Sequence, residues 1–323
     1  MNEFRKDYAL NRWVLIAEKR KARPHQFEAP SLGSATDFFA PGNEKTTPPE
    51  IGRVEYKGSW MMRWFANKFP AVALPKSVSK KIKLKKTKKN LLQSISGYGH
   101  HEVIVETPTQ KQLWDLTEYE ISELLKVYKL RFETLSKEKN TAYISIFKNH
   151  GSKGGTSIIH SHSQIITTPF VPPYVEEKVN AYTKNVFDKI IDLESKSKRA
   201  IKETTSFLAF APYASRFNFE SWIVPKDHKT SIDEFDDKEI DELARIMKKI
   251  LGNLKLLADS YNILLFYDPK SNTKNNPKNK NNQGLRFHIE ITPRSATWAG
   301  FENATDVIIN AVSPETAAKL LKK

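Results

Sequence analysis

Apolar positions along the chain change period in a fixed order, and the order occurs twice. Val103–Val105 is a short apolar run stopped at Pro108, and Trp222–Val224 is another, stopped at Pro225. Short apolar runs bounded in this way read as strands. Each is followed by a capping pattern, Thr117 with Glu120 and Asp236 with Glu239. There the first side chain takes an orphan N–H of the opening helical turn, and the glutamate reaches back to the cap. Behind the caps, Ile121, Leu124, Leu125 and Tyr128, then Ile240, Leu243, Ile246, Met247 and Ile250, keep the spacing of one helix face. Ala142–Phe147 and Ile263–Tyr267 read as buried strands, and His160–Thr167 and Arg286–Thr292 as the return strands.

The two series are in register. Residues 103–124 align with 222–243 at an offset of 119, which persists to Ile144/Ile263 and Phe147/Phe266. His162 then aligns with His288 at an offset of 126, so the second copy has gained seven residues between Phe266 and His288. Self-similarity of this length is the mark of a duplicated supersecondary unit. The pattern predicts an α+β protein with two similar halves, each an antiparallel sheet plus a helix. An N-terminal extension of about 95 residues precedes them, and a helical linker lies near 174–203. The expected division is 1–173, extension plus first unit, and 174–323, linker plus second unit.

Composition narrows the possibilities. At roughly 150 residues per domain, 323 residues make about two domains. The chain has no cysteine, which excludes a disulfide framework, a thiolate metal site and a cysteine nucleophile. No apolar run is long enough to span a bilayer, and Met1–Asp7 lacks the apolar region of a signal peptide. A soluble, cytoplasmic protein with no membrane partner is expected. The net charge of +15, from 52 Lys+Arg and 37 Asp+Glu, raises a nucleic-acid reading. The excess is concentrated, however, in Lys80, Lys81, Lys83, Lys85, Lys86, Lys88 and Lys89 and in a Lys/Asn run from Lys270 to Gln283. The second run falls inside the insertion, so it reads as a loop. Charge runs of this kind are solvated segments first and polyanion surfaces second, and nucleic acid is not the expected partner.

The chemistry is concentrated between Asn149 and Gln164, where a strand end, a glycine-rich loop (Gly151, Gly154, Gly155) and an alternating His160-Ser-His162-Ser-Gln164 strand follow one another. On a strand, His160, His162 and Gln164 share one face at about 6.6 Å steps. The glycines would let backbone N–H groups approach an anion, and Asn149 and Ser157 could donate to phosphate oxygens. Imidazole is partly neutral near pH 7 and nucleophilic, so a histidine beside a phosphate cradle suggests nucleotidyl transfer through a phosphoramidate. A pair of metal ligands and a polar strand face remain alternatives on spacing alone.

The His160-Ser-His162-Ser-Gln164 strand resembles the active-site strand of galactose-1-phosphate uridylyltransferases, a duplicated branch of the histidine-triad superfamily. Further blocks carry the resemblance along nearly the whole chain: Arg5-Lys-Asp with Arg12-Trp-Val-Leu-Ile and Arg20-Lys-Ala-Arg23-Pro24, then Pro41-Gly-Asn-Glu44 with Thr47-Pro-Pro-Glu50, and Asn67-Lys-Phe-Pro-Ala71. His101-Glu-Val-Ile-Val-Glu-Thr-Pro108, Phe287-His-Ile-Glu-Ile-Thr-Pro293, Trp298-Ala-Gly-Phe-Glu302 and Asn310-Ala-Val-Ser-Pro-Glu315 follow in order, closest to archaeal and related bacterial members.

The resemblance implies two tandem histidine-triad-like units and an enzyme of galactose and carbohydrate metabolism. His162 would attack the α-phosphorus of a nucleotide sugar such as UDP-glucose, and a second hexose 1-phosphate would discharge the nucleotidyl-histidine in a ping-pong cycle. Gln164 would hydrogen-bond the transferring group and His160 would complete the catalytic strand. Asn149 and Ser157 would hold phosphate oxygens, Arg20 and Arg23 would supply fixed positive charge, and Phe65 and Asn67 would line the nucleoside pocket. Gly300, Phe301 and Glu302 would belong to the hexose-phosphate side. The partners implied are a nucleotide sugar, a sugar 1-phosphate and a second copy of the chain. A nucleoside-diphosphate-sugar phosphorylase of ADP-glucose type would share the intermediate, hydrolysis of that intermediate is conceivable, and a non-catalytic polyanion-binding protein is the alternative of a different class.

Departures from the family pattern matter as much. Many members hold zinc with two cysteines, a histidine after the Glu-Thr-Pro strand, and the first histidine of the triad. Here Asp37, Ala40 and Gln110 stand at the first three positions and only His160 remains. One imidazole cannot hold a tetrahedral zinc, so no metal and no cofactor is expected, with Asp37, Phe38 and Phe39 closing the loop by packing. Arg286, His288 and Glu290 likewise fail to preserve a second metal set seen in some members. In the repeat register they replace His160, His162 and Gln164, so one chemical site per chain is expected.

Overall fold

The computed structural model describes residues 2–18, 20, 26, 36–74, 84–87, 91–182, 184–269 and 284–323. Lys80, Lys81, Lys83, Lys88, Lys89 and the 270–283 run lie outside them. In chain order the strands and helices are β1 (Glu3–Lys6), β2 (Trp13–Ile16), β3 (Glu50–Tyr56), β4 (Ser59–Ala66), β5 (Lys85–Thr87), β6 (Leu92–Ser96), β7 (His101–Val105), α1 (Glu118–Leu135), β8 (Tyr143–His150), β9 (His162–Thr168), α2 (Pro173–Ala181) and α3 (Lys184–Ser195). They continue with β10 (Ala200–Glu203), β11 (Phe207–Phe210), β12 (Ser221–Pro225), α4 (Asp237–Leu254), β13 (Tyr261–Phe266), β14 (His288–Pro293), α5 (Gly300–Thr305) and α6 (Pro314–Leu321).

Both predicted caps form in full. Thr117 Oγ1 accepts the Glu120 N–H at 3.2 Å while Glu120 Oε2 accepts the Thr117 N–H at 2.7 Å. Asp236 and Glu239 make the same reciprocal pair at 2.9 Å each way. Each cap satisfies donors that the first turn cannot use internally, which fixes where α1 and α4 begin.

Ten strands make one antiparallel sheet in the order β10-β11-β12-β14-β13-β8-β9-β7-β4-β3. The repeat is visible in that order. β7, β8 and β9 form one half and β12, β13 and β14 the other, joined where β13 pairs antiparallel with β8. Helices α1 and α4 pack together over one face. There Ser122 Oγ donates to Asp241 Oδ1 at 2.6 Å, a bond between residues 119 apart and so equivalent in the repeat. The main core lies between these helices and the sheet, with Ile121, Leu124, Leu125, Ile144, Ile146 and Ile165 from the first half meeting Ile240, Leu243, Met247, Ile263 and Ile289 from the second. Burying such a layer is the dominant favourable term for the fold.

Two parts differ from the expectation. Residues 200–203, expected at the end of a helical linker, form the edge strand β10 because Lys202 and Glu203 find partners in Ala209 and Leu208 of β11. The N-terminal extension supplies β3 and β4 to the main sheet and also builds a second sheet, ordered β2-β1-β6-β5.

Candidate active site

Strand β9 alternates as its sequence requires. His162 and Gln164 face a pocket, and Ser163 turns to the opposite face beneath α1, where its hydroxyl meets that of Tyr128. The pocket wall comes from Phe65 and Asn67 on and just after β4, Val103 on β7, and Ser157 and Ile158 ahead of β9. A loop carrying Phe38, Phe39, Thr46 and Thr47 closes the other side. Phe39 packs edge-on against both Phe65 and His162, with centroids 5.7 and 5.4 Å apart. The result is an apolar slot with a few polar groups converging on His162, the usual form of a small-molecule site.

The geometry of His162 singles out one nitrogen. Nδ1 lies 2.8 Å from the His160 carbonyl oxygen, which only accepts, so Nδ1 carries the hydrogen and the lone pair is on Nε2. No described protein group bonds Nε2. Burial, joined by the Lys148 ammonium, pulls the imidazole down to about 4 and outweighs the His160 carbonyl and Glu106, which push the other way. The ring is therefore neutral, and nucleophilic, from about pH 5 upward. The single-turnover rate of any covalent capture that consumes the neutral imidazole is expected to have its acid limb near 4, with rate lost as pH falls through it. A limb at the ordinary histidine value would show the ring to be far more hydrated than this.

The structure brings Phe65, Asn67, Ser157, His162 and Gln164 into one pocket. His160 lies beneath, held by Asp37 and the Thr107 carbonyl. Arg20 reaches the rim, where its Nη1 donates to the carbonyl of the pocket residue Phe69 at 2.5 Å. Arg23 lies outside the described residues. Asn149 does not line the pocket; its Oδ1 accepts from Asn262 Nδ2 of the second half at 2.8 Å. Gly300, Phe301 and Glu302 form the first turn of α5, away from the pocket wall, with Phe301 exposed. Sequence reasoning missed His101, whose Nε2 lies 2.9 Å from Gln164 Oε1. It also missed Gln26, whose N–H and side chain hold Ser157 and Ile159.

The glycine-rich loop works differently from a backbone anion cradle. The N–H groups of Gly154 and Gly155 are spent on the Gly151 and Ser152 carbonyls at 3.1 and 3.0 Å. Gly151 has φ +74°, and a Cβ there would meet Ser260 Oγ at 2.1 Å. Only glycine permits both that backbone and that approach to the second half. The loop is a tight packing turn that delivers Ser157 to the pocket.

Of the four positions expected to have lost a zinc site, three, Asp37, Gln110 and His160, form a hydrogen-bonded clasp. Asp37 Oδ2 accepts from Gln110 Nε2 at 2.5 Å and from His160 Nδ1 at 2.8 Å. His160 Nε2 donates to the Thr107 carbonyl at 2.7 Å. With both ring nitrogens facing acceptors, His160 has no lone pair for a metal, and Ala40 has no donor atom. The residues present do not fit a tetrahedral zinc. Burial opposes ionisation of Asp37, but the hydrogen bond and charge of His160 outweigh it and hold the carboxyl below its usual range. Replacing Asp37 with alanine strands the buried His160 Nδ1, a loss of about 1–3 kcal/mol. The thermal midpoint should fall by a few degrees, while a chelator should leave that of the wild-type protein unchanged. A chelator-induced drop would contradict the clasp.

The back of β9 carries a second buried network. Lys148 Nζ bonds Glu106 Oε2 at 2.6 Å, Ser161 Oγ at 3.0 Å and the His162 carbonyl at 3.2 Å, and Glu106 also accepts from Ser161 and Ser163. Buried ion pairs persist when their remaining valences are satisfied, and this one pins the strand that carries His162. In the second half, His288 keeps the same arrangement, with Nδ1 2.9 Å from the Arg286 carbonyl. Its Nε2, however, faces Lys178 Nζ at 3.2 Å, and the ring is fully enclosed. The Lys178 ammonium takes the His288 lone pair and Arg286 offers only N–H donors, bound to the Pro225 and Lys226 carbonyls and to Asp188, so this set does not fit a metal ion. Among the described residues, no group of three or more metal-ligating side chains converges anywhere, and no helix is long and apolar enough to cross a membrane.

Comparison with known proteins identifies the family of the chain. Residues 1–172 match the sequence model described as galactose-1-phosphate uridyl transferase, N-terminal domain. An ADP-glucose phosphorylase of Arabidopsis thaliana is 32% identical over 99% of this chain and 92% of its own length. A galactose-1-phosphate uridylyltransferase of Thermotoga maritima is 27% identical over 100% of this chain and 98% of its own. The crystal structure of the Arabidopsis ADP-glucose phosphorylase with bound ADP-glucose, 30% identical, superposes with a TM-score of 0.74 over 100% of this chain and 99% of that one. The mixed α/β fold with antiparallel sheets, the pocket around His162 and these matches together place the chain in the galactose-1-phosphate uridyl transferase family of nucleotidyltransferases.

Proposed function

We propose that this chain moves a nucleotidyl group between a nucleotide sugar and a sugar 1-phosphate through a covalent intermediate on His162. In the first half-reaction, Nε2 attacks the α-phosphorus, a P–N bond forms, and the P–O bond to the departing hexose 1-phosphate breaks. In the second, a phosphate oxygen of another hexose 1-phosphate attacks, the P–O bond re-forms and the P–N bond breaks. The observation that carries the proposal is the His162 ring itself, with Nδ1 committed to the His160 carbonyl and the Nε2 lone pair turned into the pocket. Gln164 supplies an N–H to the charged transition state. Ser157, Arg20 and Arg23 bind phosphate oxygens, the Phe65 and Asn67 wall takes the nucleoside, and Gly300, Phe301 and Glu302 serve the hexose phosphate of a partner copy in a cytoplasmic homodimer. The proposal treats 1–173 and 174–323 as two histidine-triad-like units, of which only the first is catalytic.

A second reading, in which inorganic phosphate is the acceptor and ADP-glucose the donor, is favoured by the 32% identity to a protein named ADP-glucose phosphorylase. Intact-mass measurement after mixing with UDP-glucose, UDP-galactose or ADP-glucose separates the two donors, since the adduct mass names the base. Adding galactose 1-phosphate, glucose 1-phosphate or phosphate to the loaded enzyme then names the acceptor. Discharge by water alone would make the protein a hydrolase. An unmodified protein without turnover, binding random nucleic acid in a salt-dependent way, would replace both readings with a polyanion-binding role.

A further inference from the structure

We infer that His101 is a positioning residue that sets the amide of Gln164, turning its N–H donor toward the phosphoryl group transferred at His162. The inference rests on the nucleotidyl-transfer reading above. The backbone N–H of Ala71 lies 2.9 Å from His101 Nδ1 and can only donate, so Nδ1 must present its lone pair. The ring hydrogen is therefore on Nε2, and that hydrogen points at Gln164 Oε1, 2.9 Å away. An isolated glutamine amide is free to turn through half a circle, exchanging donor for acceptor. Here the oxygen is claimed by His101, so the Gln164 NH2 is left on the side of the pocket.

The neighbouring amide is set in the same way. Asn67 Oδ1 accepts the Phe69 N–H at 2.8 Å, and Asn67 Nδ2 lies 3.1 Å from the same His101 nitrogen. With the ring hydrogen given to Gln164, that nitrogen has no lone pair for Asn67, so the Asn67 N–H bonds are also left to the pocket. Both amides line it. His101 is almost wholly buried on β7, where Val103 pairs with Gln164, so the strand ladder holds the ring at the required distance. His101 thus orients the Gln164 amide and the Phe69 N–H orients that of Asn67, so both present donors, the polarity an anionic phosphoryl group requires.

The test is a double-mutant cycle read at the covalent step. His101→Phe keeps the ring volume and removes both nitrogens. The rate of nucleotidyl-His162 formation, followed by intact mass in single turnover, should fall by about 10²-fold, the size of losing one oriented donor. The concentration of nucleotide sugar giving half-maximal rate should move much less. In a Gln164→Ala background, His101→Phe should cost nothing further, because its effect runs through that amide. An unchanged rate in His101→Phe, or a full second loss in the Gln164→Ala background, would overturn the inference. His101→Gln, which can accept from Ala71 and donate to Gln164, should restore part of the rate. Long-range 15N–1H correlation on the wild-type protein should show His101 protonated at Nε2. Protonation at Nδ1 overturns the inference directly, whether or not an adduct forms, so its failure stays distinct from failure of the transfer reading.

Discussion

A His162→Asn protein mixed with a nucleotide sugar will stay at its unmodified mass, and turnover will fall by roughly 10⁴- to 10⁶-fold, the range seen when a nucleophile is removed outright. Among the described residues, neither His160 nor His288 offers a second nucleophile. His160, the nearest imidazole in sequence, has both nitrogens bonded, and His288 is sealed in the other half of the sheet. The fold should tolerate the change. Asparagine keeps an N–H within reach of the His160 carbonyl, β9 keeps its ladder with β7 and β8, and the main loss is the edge contact with Phe39. Because Gln164 acts on the same step, Gln164→Ala should add little once His162 is gone. Near-normal turnover, or an adduct of one nucleoside monophosphate on His162→Asn, would remove His162 from the mechanism.

What could be read in advance follows the distance over which each feature is decided. Both helix caps, the strands and the repeat rest on residues within a turn or a strand of one another, and the patterns at Thr117/Glu120 and Asp236/Glu239 met no competing tertiary demand. The shared face of His162 and Gln164 was legible because a period of two fixes which side chains lie together, whereas His160 precedes β9 and turns to Asp37 and Thr107. The side chains that set the state of the site were not legible. Asp37 meets Gln110 and His160 across 73 and 123 residues, and His101 meets Gln164 across 63. The Asp37 position was singled out as a lost ligand and as part of a loop closed by packing; that a carboxylate, an amide and an imidazole can satisfy one another was the available signal for the clasp. Lys178 gave none. It follows Glu176 and Glu177 in a segment that looks like an exposed helix surface, yet only 3% of it is exposed. Glycines invite an anion reading whenever they cluster, but here the approach of Ser260 from the second half decides their use.

Lys178→Met is expected to cost about 3–5 kcal/mol, as for breaking a buried pair from one side. The Lys178 ammonium sits 2.6 Å from Glu290 Oε1 and 3.2 Å from His288 Nε2. It is enclosed by the rings of Phe266, Trp222, Tyr182 and Tyr174, with centroids at 4.4, 4.8, 5.2 and 5.4 Å. Methionine would fill much of that box, so the loss is electrostatic. Glu290 would retain Arg216 at 2.6 Å on Oε2, but Oε1 and the His288 lone pair would be left unpaired in a closed space. The thermal midpoint should fall by roughly 5–10 °C. The sign of the pH dependence is fixed by Glu290. Burial opposes its ionisation, yet the Lys178 ammonium and the Arg216 guanidinium hold it well below the ordinary carboxyl range. Its stabilising contribution is present above the ordinary carboxyl range and lost as pH falls through the lowered value. Without Lys178 the carboxyl protonates more readily, so the gap between variant and wild type should narrow in acid. Pairing the change with Glu290→Gln should recover part of the loss at pH 7, because the uncompensated charge goes with its partner. Adduct formation at His162 in the folded variant should stay within about twofold of wild type. A variant as stable as wild type would mean that the aromatic box, not the ammonium, closes the second site.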